Sequence, residues 1–99
     1  LHTLIVPQRH IISYFDLNPN EHKNLFPFLK RQKKKILEED PTVTAFNIGI
    51  NDGPAAGRSV DHLHIHLIPR RPGDIENPQG GVRGVIPDKQ KYVKRELKK

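Results

Sequence analysis

Residues 61–70 read Asp61-His62-Leu63-His64-Ile65-His66-Leu67-Ile68-Pro69-Arg70, so that histidine alternates with a large aliphatic residue for three cycles. An alternation with a period of two predicts a β-strand, because successive side chains of an extended chain point to opposite faces. One face then carries His62, His64 and His66, with neighbours roughly 6.5–7 Å apart. The other face carries Leu63, Ile65 and Leu67. The stretch therefore predicts a hydrophobic core on one side of a sheet and a polar site on the other.

The row of histidines has three explanations. Structural histidines are the first, although three on one face is a high number for a chain of 99 residues. A zinc site is the second, but zinc needs ligand nitrogens about 2.0–2.1 Å from one point, and His62 and His66 stand roughly 13 Å apart along a strand. The third is a row of imidazoles along an anionic group, in which one neutral ring attacks and its neighbours donate hydrogen bonds. The spacing suits a phosphate chain best, and we expect no metal bound by the protein.

A second strand is predicted at residues 45–50, where Phe46, Ile48 and Ile50 share one face. The opposite face carries Asn47, Gly49 and Asn51. Antiparallel pairing with the histidine strand would join the two aliphatic faces in one core and place the two asparagines beside the imidazoles. Gly49 would leave space for a ligand at the backbone.

The loop at residues 52–59 joins these two strands and ends in Gly57, Arg58 and Ser59. By itself this is an ordinary hairpin connection. Next to three histidines it offers backbone N–H groups, a guanidinium and a hydroxyl, all of which bind phosphate oxygens well. We therefore expect Arg58 and Ser59 to contact a phosphorylated ligand.

A long helix is predicted from Asn18, which suits the N-cap, with Pro19 at the first helical position and Glu21 completing a capping box. Pro27 falls inside the pattern and is expected to kink the helix or split off its first turn. The pattern ends before Pro41. Its apolar positions form one helical stripe, which consists of Leu25, Phe28, Leu29, Ile36 and Leu37.

The chain has a net charge of +6 and 34% hydrophobic residues, which predicts a single domain over residues 1–99 with a modest core. The positive charge favours an anionic partner, but the lysine-rich helix lacks the interleaved aromatic residues of a single-strand binder, which disfavours nucleic acid. There is no cysteine, which fits a reducing compartment such as the cytoplasm. No apolar run reaches the length of a membrane span. Residues 75–99 predict an extended tail with a short helix near residues 89–98, and a strand at residues 3–6 predicts that the natural protein continues upstream.

These motifs together resemble the histidine-triad (HIT) family of nucleotide hydrolases and transferases. Residues 62–68 match its alternating histidine signature, and residues 2–10 resemble the strand before its helix. Residues 47–51 and 57–60 resemble its next strand and phosphate loop. Residues 77–83, with Pro87, Lys89 and Tyr92, are similar to the C-terminal tail of the branch that includes dinucleoside-polyphosphate hydrolases. The resemblance implies an α+β fold, a half-barrel-like antiparallel sheet with one long helix, assembled as a homodimer.

The resemblance also implies a mechanism. The middle histidine, His64, would attack the α-phosphate and form a nucleotidyl-histidine that water cleaves. His62 and His66 would orient it and stabilise phosphate oxygens, and the companion histidine on the early strand matches His2. Asn51 and Ser59 match the family's polar phosphate ligands, with Gly57 in the same loop. No cofactor is required, although Mg²⁺ can accompany the polyphosphate substrate.

One departure concerns Arg58, because the family commonly has Gln at this position. A guanidinium there would favour a longer polyphosphate, or it would turn outward. Two alternatives to a dinucleoside-polyphosphate hydrolase stay open. One is a nucleoside phosphoramidate (nucleotidyl-lysine) hydrolase, and the other is a nucleotide-binding module without turnover.

Overall fold

The structure is a computed structural model and describes residues 2–90. Its centre is a three-stranded antiparallel sheet in the order β1-β3-β2, formed by Thr3–Ile5 (β1), Ala45–Gly49 (β2) and Ile65–Arg70 (β3). One long helix, α1, spans Pro19–Glu39. The predicted α+β fold with one helix and an antiparallel sheet is confirmed. The described chain also contains short 3₁₀ helices at Tyr14–Asp16, Pro54–Ala56, Gly81–Val85 and Pro87–Lys89.

The histidine strand β3 lies between the other two strands, and their register decides which side chains share a face. His66 is opposite Leu4 of β1 and opposite Gly49 of β2. Leu67 is opposite Thr3 and Ile48. Because directly opposite residues of an antiparallel pair point to the same side, His66, Leu4 and Gly49 belong to one face of the sheet.

The other face of β3 is packed against the helix. Leu63, Ile65 and Leu67 are only 1–2% exposed. Leu63 and Ile65 form a cluster with Ile5 and Ile11, whereas Leu67 packs with Ile36 of the helix and Val43. The predicted separation into a buried aliphatic face and a polar histidine face is confirmed. Ile48 shares the buried side but is 52% exposed, because β2 is an edge strand.

The helix begins as its sequence predicts. The Asn18 side chain accepts from the Glu21 backbone N–H at 2.8 Å, and the Glu21 carboxylate accepts from the Asn18 N–H at 2.9 Å. Asp40 is the C-cap. The helix continues through Pro27, so the prediction that this proline splits off the first turn is wrong. The lost hydrogen bond is offset by the packing of the apolar stripe, of which Leu25, Leu29, Ile36 and Leu37 contact the core.

The start of the histidine strand differs from the prediction. The histidine strand begins at Ile65 rather than at His62, which lies in a bend. The β1 register would place Leu63 opposite Pro7, which has no N–H to continue the ladder. Leu63 instead donates its N–H to the Ile11 carbonyl at 2.7 Å.

The C-terminal segment is not simply extended, because residues 81–89 form two short 3₁₀ helices. The predicted helix near residues 89–98 lies mostly outside the described residues. No helix within residues 2–90 has both the length and the apolar character that a membrane crossing requires.

Candidate active site

His64, His66 and His2 form a continuous group on the histidine face. The rings of His64 and His66 are 5.2 Å apart between centroids, and those of His66 and His2 are also 5.2 Å apart. Nε2 of His2 lies 3.0 Å from Nδ1 of His66, so the two rings share one proton in a hydrogen bond. The structure thus brings together three of the four predicted histidines.

The tautomer of His64 is fixed by its backbone partner. Its Nδ1 lies 2.8 Å from the carbonyl oxygen of His62. A carbonyl oxygen only accepts, so Nδ1 carries the proton. In the neutral ring the lone pair is then on Nε2, the far side of the imidazole. The hydrogen bond therefore selects the tautomer in which Nε2 is the reactive nitrogen, directed away from the backbone.

His62 occupies a different place from the one its sequence position predicts. Its ring is 4.8 Å from that of His10, and its Nε2 donates to the Pro7 carbonyl at 3.3 Å. The expected row of three evenly spaced rings is therefore wrong in this detail, because the strand has not yet begun at His62. Its side chain holds the connection after β1, while its main-chain carbonyl orients His64.

His66 is the histidine whose electrostatics are most altered. Burial lowers the pKa of its imidazole, and the neighbouring His2 and His64 lower it further because two adjacent positive rings repel each other. Within residues 2–90 its buried Nε2 has no hydrogen-bond partner. His66 is thus kept neutral at neutral pH, and its Nε2 is a buried polar atom without a partner in this part of the chain.

The sheet leaves space beside His66. Gly49 is directly opposite it in β2, and a Cβ atom added at Gly49 would meet no atom within 4 Å. The space next to the imidazoles predicted from Gly49 is therefore present.

The polar ends of the connecting loop lie at the same end of the sheet. Extending the β2–β3 register by two residues places Asn51 level with His64, just beyond the end of the ladder. Gly57 lies near the Asn51 side chain, since a Cβ at Gly57 would be 3.9 Å from the Asn51 Nδ2. In the described part of the chain the side chains of Asn51 and Ser59 are exposed and have no hydrogen-bond partner, which leaves both available to a ligand.

Asn47, the other predicted asparagine, does not flank the imidazoles. Its Oδ1 accepts from Nη1 of Arg70 at 2.6 Å, and Arg70 also pairs with Asp74 at 2.8 Å. This cluster is at the far end of the sheet from His64, because Asn47 is opposite Ile68. The pairing with a cation more than twenty residues away could not be read from the strand pattern.

Two further contacts support the site, and no pattern in the sequence indicates either of them. His10 contacts His62, and Asp52 ties the loop after β2 to the segment before the helix. The Asp52 carboxylate accepts from the Ser13 hydroxyl at 3.2 Å and from the Tyr14 N–H at 3.1 Å. Both contacts join segments far apart in the chain.

Among the described residues, no three His, Asp or Glu side chains are grouped as ligands for a metal ion.

The HIT domain profile matches residues 1–73. The bis(5'-nucleosyl)-tetraphosphatase [asymmetrical] of Schizosaccharomyces pombe is 41% identical over 74 residues, which are 75% of this chain and 40% of that protein. The bifunctional bis(5'-adenosyl)-triphosphatase/adenylylsulfatase FHIT of Arabidopsis thaliana is 32% identical over 96 residues, which are 97% of this chain and 52% of that protein. The chain thus spans about half the length of the curated relatives it matches.

Solved structures are similar in fold as well. A Zn-bound histidine triad family protein from Mycobacterium smegmatis superposes with a TM-score of 0.65 and 36% identity, over 74% of this chain and 52% of that one. The NitFhit protein of C. elegans gives the same TM-score and identity over 85% of this chain and 20% of that one.

Proposed function

The chain belongs to the HIT domain family, and on that basis we propose that it hydrolyses dinucleoside polyphosphates, or related nucleotidyl conjugates, at the α-phosphate. The names of its relatives support this substrate class, since they include a dinucleoside tetraphosphatase and a dinucleoside triphosphatase. The single observation that carries the proposal is the hydrogen bond from Nδ1 of His64 to the His62 carbonyl, which leaves Nε2 free to attack.

The reaction has two steps. The lone pair of His64 Nε2 attacks the α-phosphorus, a P–N bond forms, and the bond from phosphorus to the bridging oxygen breaks. That oxygen keeps the electron pair and leaves on the nucleoside polyphosphate. Water then adds to the phosphorus and gives a proton to the solvent, while the P–N bond breaks and its electron pair returns to Nε2. The products are a nucleoside monophosphate and a nucleoside polyphosphate.

The neighbouring groups bind the phosphate oxygens. His66 and His2 lie beside His64 and share one proton, so the ring that accepts this proton has its own N–H left to donate to a non-bridging oxygen as charge develops there. His62 acts through its carbonyl oxygen, which holds the His64 ring in the required tautomer. Asn51, Ser59 and the backbone of Gly57 bind the α-phosphate from the loop side. Mg²⁺, where it takes part, arrives on the polyphosphate of the substrate.

The assembly proposed for the chain is a homodimer. Within residues 2–90, β2 is an edge strand, and a groove of about 640 Å³ runs between it and the helix. The groove is lined by exposed apolar side chains, among them Ile48 (52% exposed) and Phe26 (64% exposed). A second copy of the chain would cover these groups. Sedimentation velocity would show a single species of twice the monomer mass, whereas a monomer at tens of micromolar would contradict the dimer.

The absence of cysteine supports a cytoplasmic location.

A substrate panel tests the proposed reaction. Diadenosine tri- and tetraphosphate and adenosine 5'-phosphoramidate would be assayed with and without EDTA. We expect the dinucleotides to be hydrolysed faster than the phosphoramidate. A faster phosphoramidate reaction would assign the chain to the other branch of the family, and binding without any hydrolysis would leave a nucleotide-binding module. Activity that vanishes when the protein itself is stripped of metal would contradict a metal-free site.

A further inference from the structure

The guanidinium of Arg58 is buried without a full set of partners. Its side chain is only 15% exposed, and within residues 2–90 its buried Nε has no hydrogen-bond partner. A buried cation is costly unless an anion and hydrogen-bond acceptors surround it. The prediction that Arg58 turns outward as an alternative to binding phosphate is therefore wrong. The arginine is held inward.

The anion that the structure does provide is a weak partner. Nη2 of Arg58 lies 3.4 Å from Oδ1 of Asp61, beyond the usual length of a charge-assisted hydrogen bond. The Asp61 side chain is 78% exposed, so water screens most of the attraction. Asp61 is thus able to leave the guanidinium when a better anion arrives.

The position of Arg58 relates it to the phosphate site. Gly57 before it lies near the Asn51 side chain, and the Arg58 N–H donates to the Gly53 carbonyl at 3.1 Å. Asp61 immediately precedes His62, whose carbonyl orients His64. Arg58 and Asp61 therefore lie at the two ends of the short segment that connects the loop to His62.

We propose that Arg58 binds the phosphates beyond the α-phosphate, so that the chain selects substrates by the negative charge of the group that leaves. Asp61 occupies the guanidinium only in the ligand-free protein, and the phosphate chain replaces it with two or more acceptor oxygens. A planar guanidinium suits this exchange, because it binds phosphate oxygens in pairs. This inference rests on the proposed function for its substrate class and adds the residue that determines leaving-group preference.

The test measures binding rather than turnover. Affinities for AMP, ADP and ATP would be determined by isothermal titration calorimetry in EDTA, with wild type, Arg58→Gln and Arg58→Lys. Wild type should bind more tightly with each added phosphate. Arg58→Gln should lose about 10-fold or more for ATP, with AMP changed by less than about threefold, since hydrogen bonds to a charged group are involved. Arg58→Lys should retain part of the increase, because it keeps the charge without the paired donors.

Two matched variants separate a ligand role from a structural one. Asp61→Asn removes the competing anion and should leave ATP binding equal to wild type or tighter. Lys34→Gln removes the same unit of charge from the exposed face of the helix and should change no affinity. If Arg58 only fastens its loop to Asp61, then Asp61→Asn and Arg58→Gln would weaken all three nucleotides alike, and the inference would be wrong.

The outcomes also distinguish this inference from the proposed function. If wild type shows no increase from AMP to ATP, or if Arg58→Gln keeps the increase, the role of Arg58 is refuted even where dinucleotides are hydrolysed. If Arg58→Gln loses the increase in a protein that hydrolyses no dinucleotide, the role of Arg58 is supported and the hydrolase is refuted. Thermal unfolding of each variant establishes that it is folded, and Arg58→Lys carries the test if Arg58→Gln is not.

Discussion

The two faces of β3 are built from the same six-residue strand and from residues 62–64 before it, yet different forces fix their side chains. On the helix side, Leu63, Ile65 and Leu67 are nearly inaccessible to solvent and are held by packing. On the other side, the imidazoles are partly exposed and are held by hydrogen bonds to carbonyl oxygens and to one another. The packed face determines the register, because a shift of one residue would exchange the faces. The register in turn determines which histidine meets which partner.

This difference implies that folding and chemistry are separable by single substitutions. A change on the packed face should alter the free energy of unfolding, and a change on the histidine face should alter turnover.

The largest effect is expected for His64→Ala. Removing the nucleophile should reduce hydrolysis of diadenosine tetraphosphate by at least about a thousandfold. The free energy of unfolding should change by less than about 1 kcal/mol, since the ring is not in the core. Initial-rate assays and urea denaturation measure the two quantities. The control is His22→Ala, which removes a histidine of the helix and should leave turnover within about twofold.

A retained rate in His64→Ala would refute its assignment as the nucleophile. A large loss of stability would refute the separation of the two faces, because it would show that the histidine side also carries the fold.

The next effect concerns the packed face. Leu67→Ala should lower the free energy of unfolding by about 3 kcal/mol, because the side chain is 1% exposed and its loss leaves a cavity next to Ile36 and Val43. Leu4→Ala makes the same chemical change on the histidine face, where Leu4 is 53% exposed, and should cost less than about 1 kcal/mol. Urea denaturation compares the pair. Equal losses would mean that burial does not distinguish the two faces.

How much of this arrangement the sequence predicts depends on the range of the contacts involved. The alternation at residues 61–70, the Asn18 cap and the aliphatic stripe of the helix are local patterns, and each matches the structure. The start of β3 is not predictable from the alternation, because the ladder stops opposite Pro7, which lies more than fifty residues away. The contact of His62 with His10 and the pairing of Asn47 with Arg70 likewise join residues that are far apart in the chain. Local patterns thus predict the elements that carry the histidines, whereas partners joined by tertiary contacts are not predictable from them.

A smaller effect is expected from pH on the histidine face. The pKa of His66 is lowered in the folded protein by burial and by two neighbouring rings, so the unfolded chain binds a proton more readily. Stability from this residue is therefore complete above its ordinary pKa of 6.5 and is lost as the pH falls below it. His66→Asn should lose less stability than wild type between about pH 7 and pH 5. Parallel pH dependence of the two proteins, measured by urea denaturation, would show that His66 is not the group responsible.

The smallest effect lies outside both faces. Hydrogen bonds from Thr42 and then from Arg71 lower the pKa of Asp40 to about 2. Its contribution to stability is present above the ordinary carboxyl pKa of 3.8 and is lost as the pH falls toward 2. Asp40→Asn should flatten the acid limb of the stability curve and leave turnover at neutral pH unchanged. A lower turnover at neutral pH would extend the site to the end of the sheet near Arg71.

Capture of the nucleotidyl-histidine tests the nucleophilic role of His64 most directly. Wild type would be mixed with diadenosine tetraphosphate labelled at the α-phosphates, quenched in base within milliseconds, and the protein examined for acid-labile label. We predict label on the peptide that contains His64, and none in His64→Ala. Label at His62, His66 or His2 instead, or rapid hydrolysis without any labelled protein, would contradict the assignment of Nε2 of His64 as the attacking atom.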